Sequence, residues 1–180
     1  MKNPDFEHLP FQVKKTLVQT AVFSNRAERK VFYTVIAEGE CATFVGVELD
    51  TGRIFEELEV PGGTGSWTVV ESDGRIYFGT YVNAGLYRYD PDRGEIEALG
   101  TPIPGAKFLY SLAADSKGNI YGGTWPNCGI FKFCGFENRV EKYYEYVAKN
   151  ENYVRYLLYN EERDKLYASI MSHSQILEFD

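Results

Sequence analysis

Apolar and polar side chains alternate with a period of two in short runs along most of the chain. The clearest run is Leu86-Tyr87-Arg88-Tyr89-Asp90, matched by Ile130-Phe131-Lys132-Phe133-Cys134 and by Ile176-Leu177-Glu178-Phe179-Asp180. Arg88, Lys132 and Glu178 occupy equivalent places, so one face of this element is wet. Alternation of this kind predicts strands packed on one side or near an edge. No segment carries a convincing helical apolar period. The expected class is all-β.

The runs belong to a larger repeat. Gly74-Arg75-Ile76-Tyr77-Phe78-Gly79-Thr80-Tyr81 returns as Gly118-Asn119-Ile120-Tyr121-Gly122-Gly123-Thr124-Trp125. A looser copy is Asp164-Lys165-Leu166-Tyr167-Ala168-Ser169-Ile170-Met171, and Arg29-Lys30-Val31-Phe32-Tyr33 is a worn first one. The four tyrosines 33, 77, 121 and 167 are 44, 44 and 46 residues apart. A period of about 40–45 residues holding several short strands marks the blades of a β-propeller. Each repeat divides into four strand-sized pieces, with tight turns such as Ser72-Asp73-Gly74, where glycine supplies a positive φ.

The expected architecture is therefore one propeller domain over residues 1–180. Its four blade-equivalents of four antiparallel strands lie near 16–60, 66–100, 108–147 and 153–180, the last completed by 5–10. Asp5 to Leu9 aligns with the outer strand that the fourth repeat lacks, and a propeller ring closes by joining one terminus to the blade begun by the other. Closure has three readings: a four-bladed ring, a ring of eight shared by two chains that exchange N-terminal strands, or a sector of a larger propeller. The first repeat is four residues longer between its tyrosine and the end of its third strand (33 to 50, against 77 to 90). That insertion, around Glu38-Gly39-Glu40-Cys41-Ala42, is expected in a loop on the binding face.

Composition supports the class and narrows the partners. Aromatics reach 16 %, with 14 Tyr, 12 Phe and 2 Trp, which suits pleated packing. The net charge of −7 disfavours nucleic acid and anionic membrane. No apolar run approaches the length needed for a transmembrane helix, and the first eight residues hold no signal-like stretch. A cytoplasmic location is expected, or a secreted one if the chain is part of a longer polypeptide. Cys41, Cys128 and Cys134 form no metal-binding spacing, and Cys128 and Cys134 would flank one strand about 20 Å apart, too far for a disulfide. No metal or cofactor is expected.

The stretch Gly79-Thr80-Tyr81-Val82-Asn83-Ala84-Gly85-Leu86-Tyr87-Arg88-Tyr89-Asp90 resembles repeats of the bacterial propellers grouped with the NHL, quinoprotein-like and gluconolactonase-like families. The likeness extends from residue 16 onward. It implies a propeller and little about activity, since those families include lactonases, lyases, sugar-binding modules and scaffolds. The metal-binding carboxylate and Asn set of gluconolactonase-like enzymes has no counterpart here, and no WD dipeptide ends a strand.

Ligands of propellers gather over the central channel. Three loops align on that face: Tyr81-Val82-Asn83-Ala84-Gly85, Trp125-Pro126-Asn127-Cys128-Gly129 and Met171-Ser172-His173-Ser174-Gln175. The links between blades bring Trp67, Tyr110, Tyr153 and Arg155 to the same side. Flat rings beside amides suit a glycan or small polar ligand, with Tyr81, Asn83, Trp125, Asn127, Trp67 and Arg155 as its contacts. Asn83 and Asn127 are equally at home as turn residues. An enzymatic alternative, a glycan lyase or lactone hydrolase, would use His173 with Tyr110 or Tyr153 as acid and base and Arg155 to hold a carboxylate. Spacing dictates no carboxylate partner for His173. A protein-interaction scaffold is the third reading.

Overall fold

The computed structural model describes residues 17–26, 29–38 and 41–180, and the proposed outer strand at 5–10 lies outside them. Fifteen strands make four antiparallel meanders among the described residues. The first sheet is β1 (Leu17–Arg26), β2 (Arg29–Glu38), β3 (Cys41–Glu48) and β4 (Ile54–Glu59). The second is β5 (Ser66–Ser72), β6 (Arg75–Thr80), β7 (Leu86–Asp90) and β8 (Glu95–Gly100). The third is β9 (Phe108–Ala114), β10 (Asn119–Trp125), β11 (Ile130–Cys134) and β12 (Arg139–Tyr144). The fourth has three strands, β13 (Tyr153–Asn160), β14 (Lys165–Met171) and β15 (Gln175–Phe179).

The first strands of successive sheets, β1, β5, β9 and β13, lie side by side, and each meander runs outward from them. In the second and third sheets the inner strands are largely buried and the outermost strand is largely exposed. In the third, for example, β9 and β10 are largely buried whereas β12 is exposed at every position but Val140. The β5–β6 hairpin turns through Asp73 and Gly74, at φ 48° and 77°. Two consecutive positive values match the right-handed twist of the flanking strands.

Adjacent sheets interlock through aromatic and branched side chains. Between the first and second, Phe44 lies 4.5 Å from Tyr89 and 5.4 Å from Phe78 by ring centroids, with Tyr33 stacked behind. Tyr77, Leu86, Leu109, Ile120, Phe131 and Phe133 fill the next seam. Ala113, Ile130, Val154, Leu166, Ala168 and Ile170 fill the third. The recurring Gly-Thr pair follows from this packing. A Cβ on Gly79 would sit 2.4 Å from Leu109, and one on Gly123 2.5 Å from Val154. Leu109 and Val154 are equivalent residues of the next inner strand, so each sheet is thinned where its neighbour presses in.

The long first repeat is accommodated differently from the sequence expectation. Its extra residues lengthen the β2–β3 ladder, which pairs without interruption from Val31↔Glu48 to Glu38↔Cys41. Extending a two-stranded ladder satisfies backbone groups that a loop would leave to solvent.

The fourth sheet buries only one face. Leu158 is paired with Tyr167 as Val70 is with Tyr77 and Ala113 with Tyr121. Val70 and Ala113 pack into seams, whereas Leu158 is 65 % exposed, beside Tyr156 at 64 % and Ile176 at 78 %. The described residues thus form an arc of four sheets with an apolar face open at one end.

Candidate functional site

The inner strands share a local irregularity that aims side chains away from the seams. In β5 the register passes from Ser66↔Thr80 to Thr68↔Gly79, leaving Trp67 unpaired. In β9 it passes from Leu109↔Thr124 to Ser111↔Gly123, leaving Tyr110. In β13 it passes from Val154↔Ile170 to Tyr156↔Ser169, leaving Arg155. In β1 the shift falls between Val18 and Ala21, so Gln19 is the matching residue. One extra residue in a strand forms a β-bulge, which bends the strand and re-aims a side chain.

Trp67, Tyr110 and Arg155 converge as a result. The rings of Trp67 and Tyr110 are 4.5 Å apart, and the Arg155 guanidinium carbon lies 4.8 Å from the Tyr110 centroid and 5.5 Å from that of Trp67. Tyr81 and Phe108 extend the wall at 5.4 and 5.5 Å from Trp67. Trp125 meets Phe108 edge-on at 5.0 Å and stacks with Tyr153 at 6.0 Å, and Tyr153 lies edge-on to Tyr110 at 5.4 Å. All seven side chains belong to half-buried residues. Gly65 gives Tyr81 its room: a Cβ there would lie 2.1 Å from the phenol oxygen.

The polar atoms of this wall are largely uncommitted. Trp67 Nε1 is buried with no hydrogen-bond partner among the described residues. Tyr77, Tyr87, Tyr89, Tyr121 and Tyr167 each donate their hydroxyl to a protein oxygen. The hydroxyls of Tyr81, Tyr110 and Tyr153 donate to none among the described residues. Burial raises the Tyr81 and Tyr110 phenols above their ordinary range, with the neighbouring Tyr153 adding to the effect at Tyr110 and Arg155 opposing it. Both rings present neutral donors at neutral pH.

The two asparagines lie in the turns beside this wall, with their amides already engaged. Asn83 Oδ1 accepts from Thr80 Oγ1 (2.5 Å) and Gly85 N (3.2 Å), and its Nδ2 donates to Gly62 O (2.9 Å). Buried Asn127 accepts from Thr124 Oγ1 (2.8 Å) and donates to Glu145 Oε1 (3.0 Å). The Gly-Thr-aromatic-x-Asn-x-Gly pattern is thus a turn-closing device.

His173 replaces that asparagine and is anchored otherwise. Its Nδ1 lies 2.6 Å from Oε1 of Glu151, whose buried carboxylate also accepts from the backbone N–H groups of Ser172 and His173. Burial alone would raise the Glu151 pKa, yet these donors hold it below the ordinary carboxylate value. The His173 side chain is otherwise exposed, and no hydrogen bond joins it to Tyr110 or Tyr153 among the described residues. Sequence reasoning missed Glu151, which is 22 residues from its partner with no motif linking them. It also missed Phe108, although Phe108-Leu109-Tyr110 aligns with Tyr153-Val154-Arg155 and so carried a signal.

No protein-family model matches the chain. No curated relative matches it. Solved structures do match in fold. A streptogramin B lyase superposes with a TM-score of 0.65 at 16 % identity, over 88 % of this chain and 53 % of that one. The virginiamycin B lyase of Staphylococcus aureus gives 0.67 at 18 % identity, over 91 % and 55 %. A chain of the nidogen–laminin complex gives 0.69 at 12 %, over 93 % and 62 %. The fold is a β-propeller. At these identities the likeness speaks for fold alone, and the chain spans about half the length of the lyases it matches.

Proposed function

We propose that the aromatic wall built on the inner-strand bulges is a binding site for a small polar ligand with a flat or C–H-rich face, a carbohydrate above all. The recurrence of the bulge carries this reading: three successive inner strands each extrude one large side chain into a common space. A sugar presents axial C–H groups to a ring and hydroxyls at its edge, which complements Trp67 and Trp125 flanked by the free phenols of Tyr81, Tyr110 and Tyr153. The asparagines drop out of the contact set, because their amides already serve the turns. Glycan screening with the wild type and Trp125→Ala tests the proposal. Binding by the wild type that is lost in the variant supports it; identical profiles, or none, count against it.

The Glu151–His173 contact favours a second reading, in which the site turns its ligand over. A carboxylate at Nδ1 fixes the imidazole tautomer and leaves Nε2 for proton transfer. Two of the matched structures are named as lyases. This reading predicts eliminase or lactonase activity following an imidazole-like pH profile and abolished in His173→Ala; full activity in that variant would remove it.

The open apolar face of the fourth sheet belongs to assembly. It takes another propeller sheet, supplied by a second copy of the chain. What supports this is the repetition of one packing mode across three seams, with apolar residues at the corresponding positions of the uncovered face.

A further inference from the structure

The surroundings of Arg155 narrow the ligand further, given the binding site proposed above. Arg26, Arg53, Arg75, Arg88, Arg93 and Arg139 each contact a carboxylate. Arg155, half-buried, contacts none among the described residues. It lies instead over the rings of Trp67, Tyr110 and Tyr156, at 5.5, 4.8 and 5.4 Å. Ring faces stabilise a cation modestly and leave the in-plane N–H donors of the guanidinium unused. In a chain of net charge −7, a cation held on an aromatic wall with its donors open is suited to an anionic group brought by a ligand.

We infer that the ligand of this site is an acidic sugar whose carboxylate docks on Arg155 while its ring lies against the aromatic wall. A planar carboxylate matches the guanidinium fork through two parallel N–H···O bonds, which a neutral hydroxymethyl group cannot reproduce. The Tyr110 and Tyr153 hydroxyls, which have no partner among the described residues, are the adjacent donors for ring oxygens, and the Tyr110 ring lies directly beneath Arg155.

The test compares trigalacturonic acid with its methyl ester, a neutral ligand of nearly the same shape, by quenching of tryptophan fluorescence at low ionic strength. The wild type is expected to bind the acid roughly ten- to a hundredfold more tightly than the ester, the range for hydrogen bonds to a charged group. Arg155→Met keeps the aliphatic stem on the rings and is expected to bind acid and ester alike. Arg155→Lys, which keeps charge but loses the fork, is expected to restore part of the preference. Equal wild-type binding of acid and ester overturns the inference and leaves the aromatic site standing. No binding of either overturns both.

Discussion

Trp125→Ala separates a binding platform from a packing wedge, because the two roles predict different energies. Trp125 is half-buried and makes two aromatic contacts, edge-on with Phe108 at 5.0 Å and stacked with Tyr153 at 6.0 Å. Such pairs contribute about 0.5–1.5 kcal/mol each beyond the area they bury, so the two pairs alone account for about 1–3 kcal/mol of the cost of truncation. A tryptophan enclosed in the core costs about 3–5 kcal/mol on truncation to alanine. The neighbouring Thr124 is fully buried, and its hydroxyl bonds to Asn127 and Gly129 do not involve the indole. The turn is therefore expected to survive the substitution. Urea unfolding followed by far-UV circular dichroism gives the stability change, and ligand titration followed by Trp67 fluorescence gives the binding change. The expected result is a modest loss of stability with a large loss of affinity. A cost above about 4 kcal/mol with affinity unchanged would refute the platform and make Trp125 a wedge between sheets.

Alkaline pH is expected to unfold the chain through its buried phenols. Burial first, and then neighbouring carboxylates, raise Tyr77, Tyr89 and Tyr121 above the ordinary value of about 10. Their neutral forms are favoured in the folded state, so this stability is complete below pH about 10 and is lost as pH rises through the folded values. Absorbance at 295 nm should show exposed tyrosines ionising first and the rest only as circular dichroism collapses; full ionisation near pH 10 with the fold intact would contradict this. Assembly through the fourth sheet predicts a dimer by light scattering for the wild type and a monomer for Leu158→Glu, and a monomeric wild type would count against a second copy as the covering sheet.

The class and repeat were legible because both rest on local pattern. Alternation at Leu86–Asp90 and its copies, and the Gly-Thr pairs, reflect requirements met identically in each sheet. The amides of Asn83 and Asn127 were legible as turn chemistry for the same reason. The bulges were not, since a register shift depends on what lies across the ladder and leaves no mark in a single strand. Nor was Glu151, whose role comes from a chain crossing that brings it under the β14–β15 turn. The lengthened first repeat was visible as four additional residues, but not that they would extend β2 and β3.

Where the repeats agree and where they differ have separate physical causes. Gly79 and Gly123 agree because a Cβ at either place would collide with the next inner strand, a constraint of the architecture. At the bulge no such constraint acts, since the extruded residue leaves the seam, and the chain places Gln19, Trp67, Tyr110 and Arg155 there in turn. Packing alone would tolerate the same residue four times. Four different chemistries at one geometric position are what a site needs to recognise an asymmetric ligand, with a flat face for one side and a charge for another. The fold thus sets the directions, and the departures from the repeat set the chemistry presented along them.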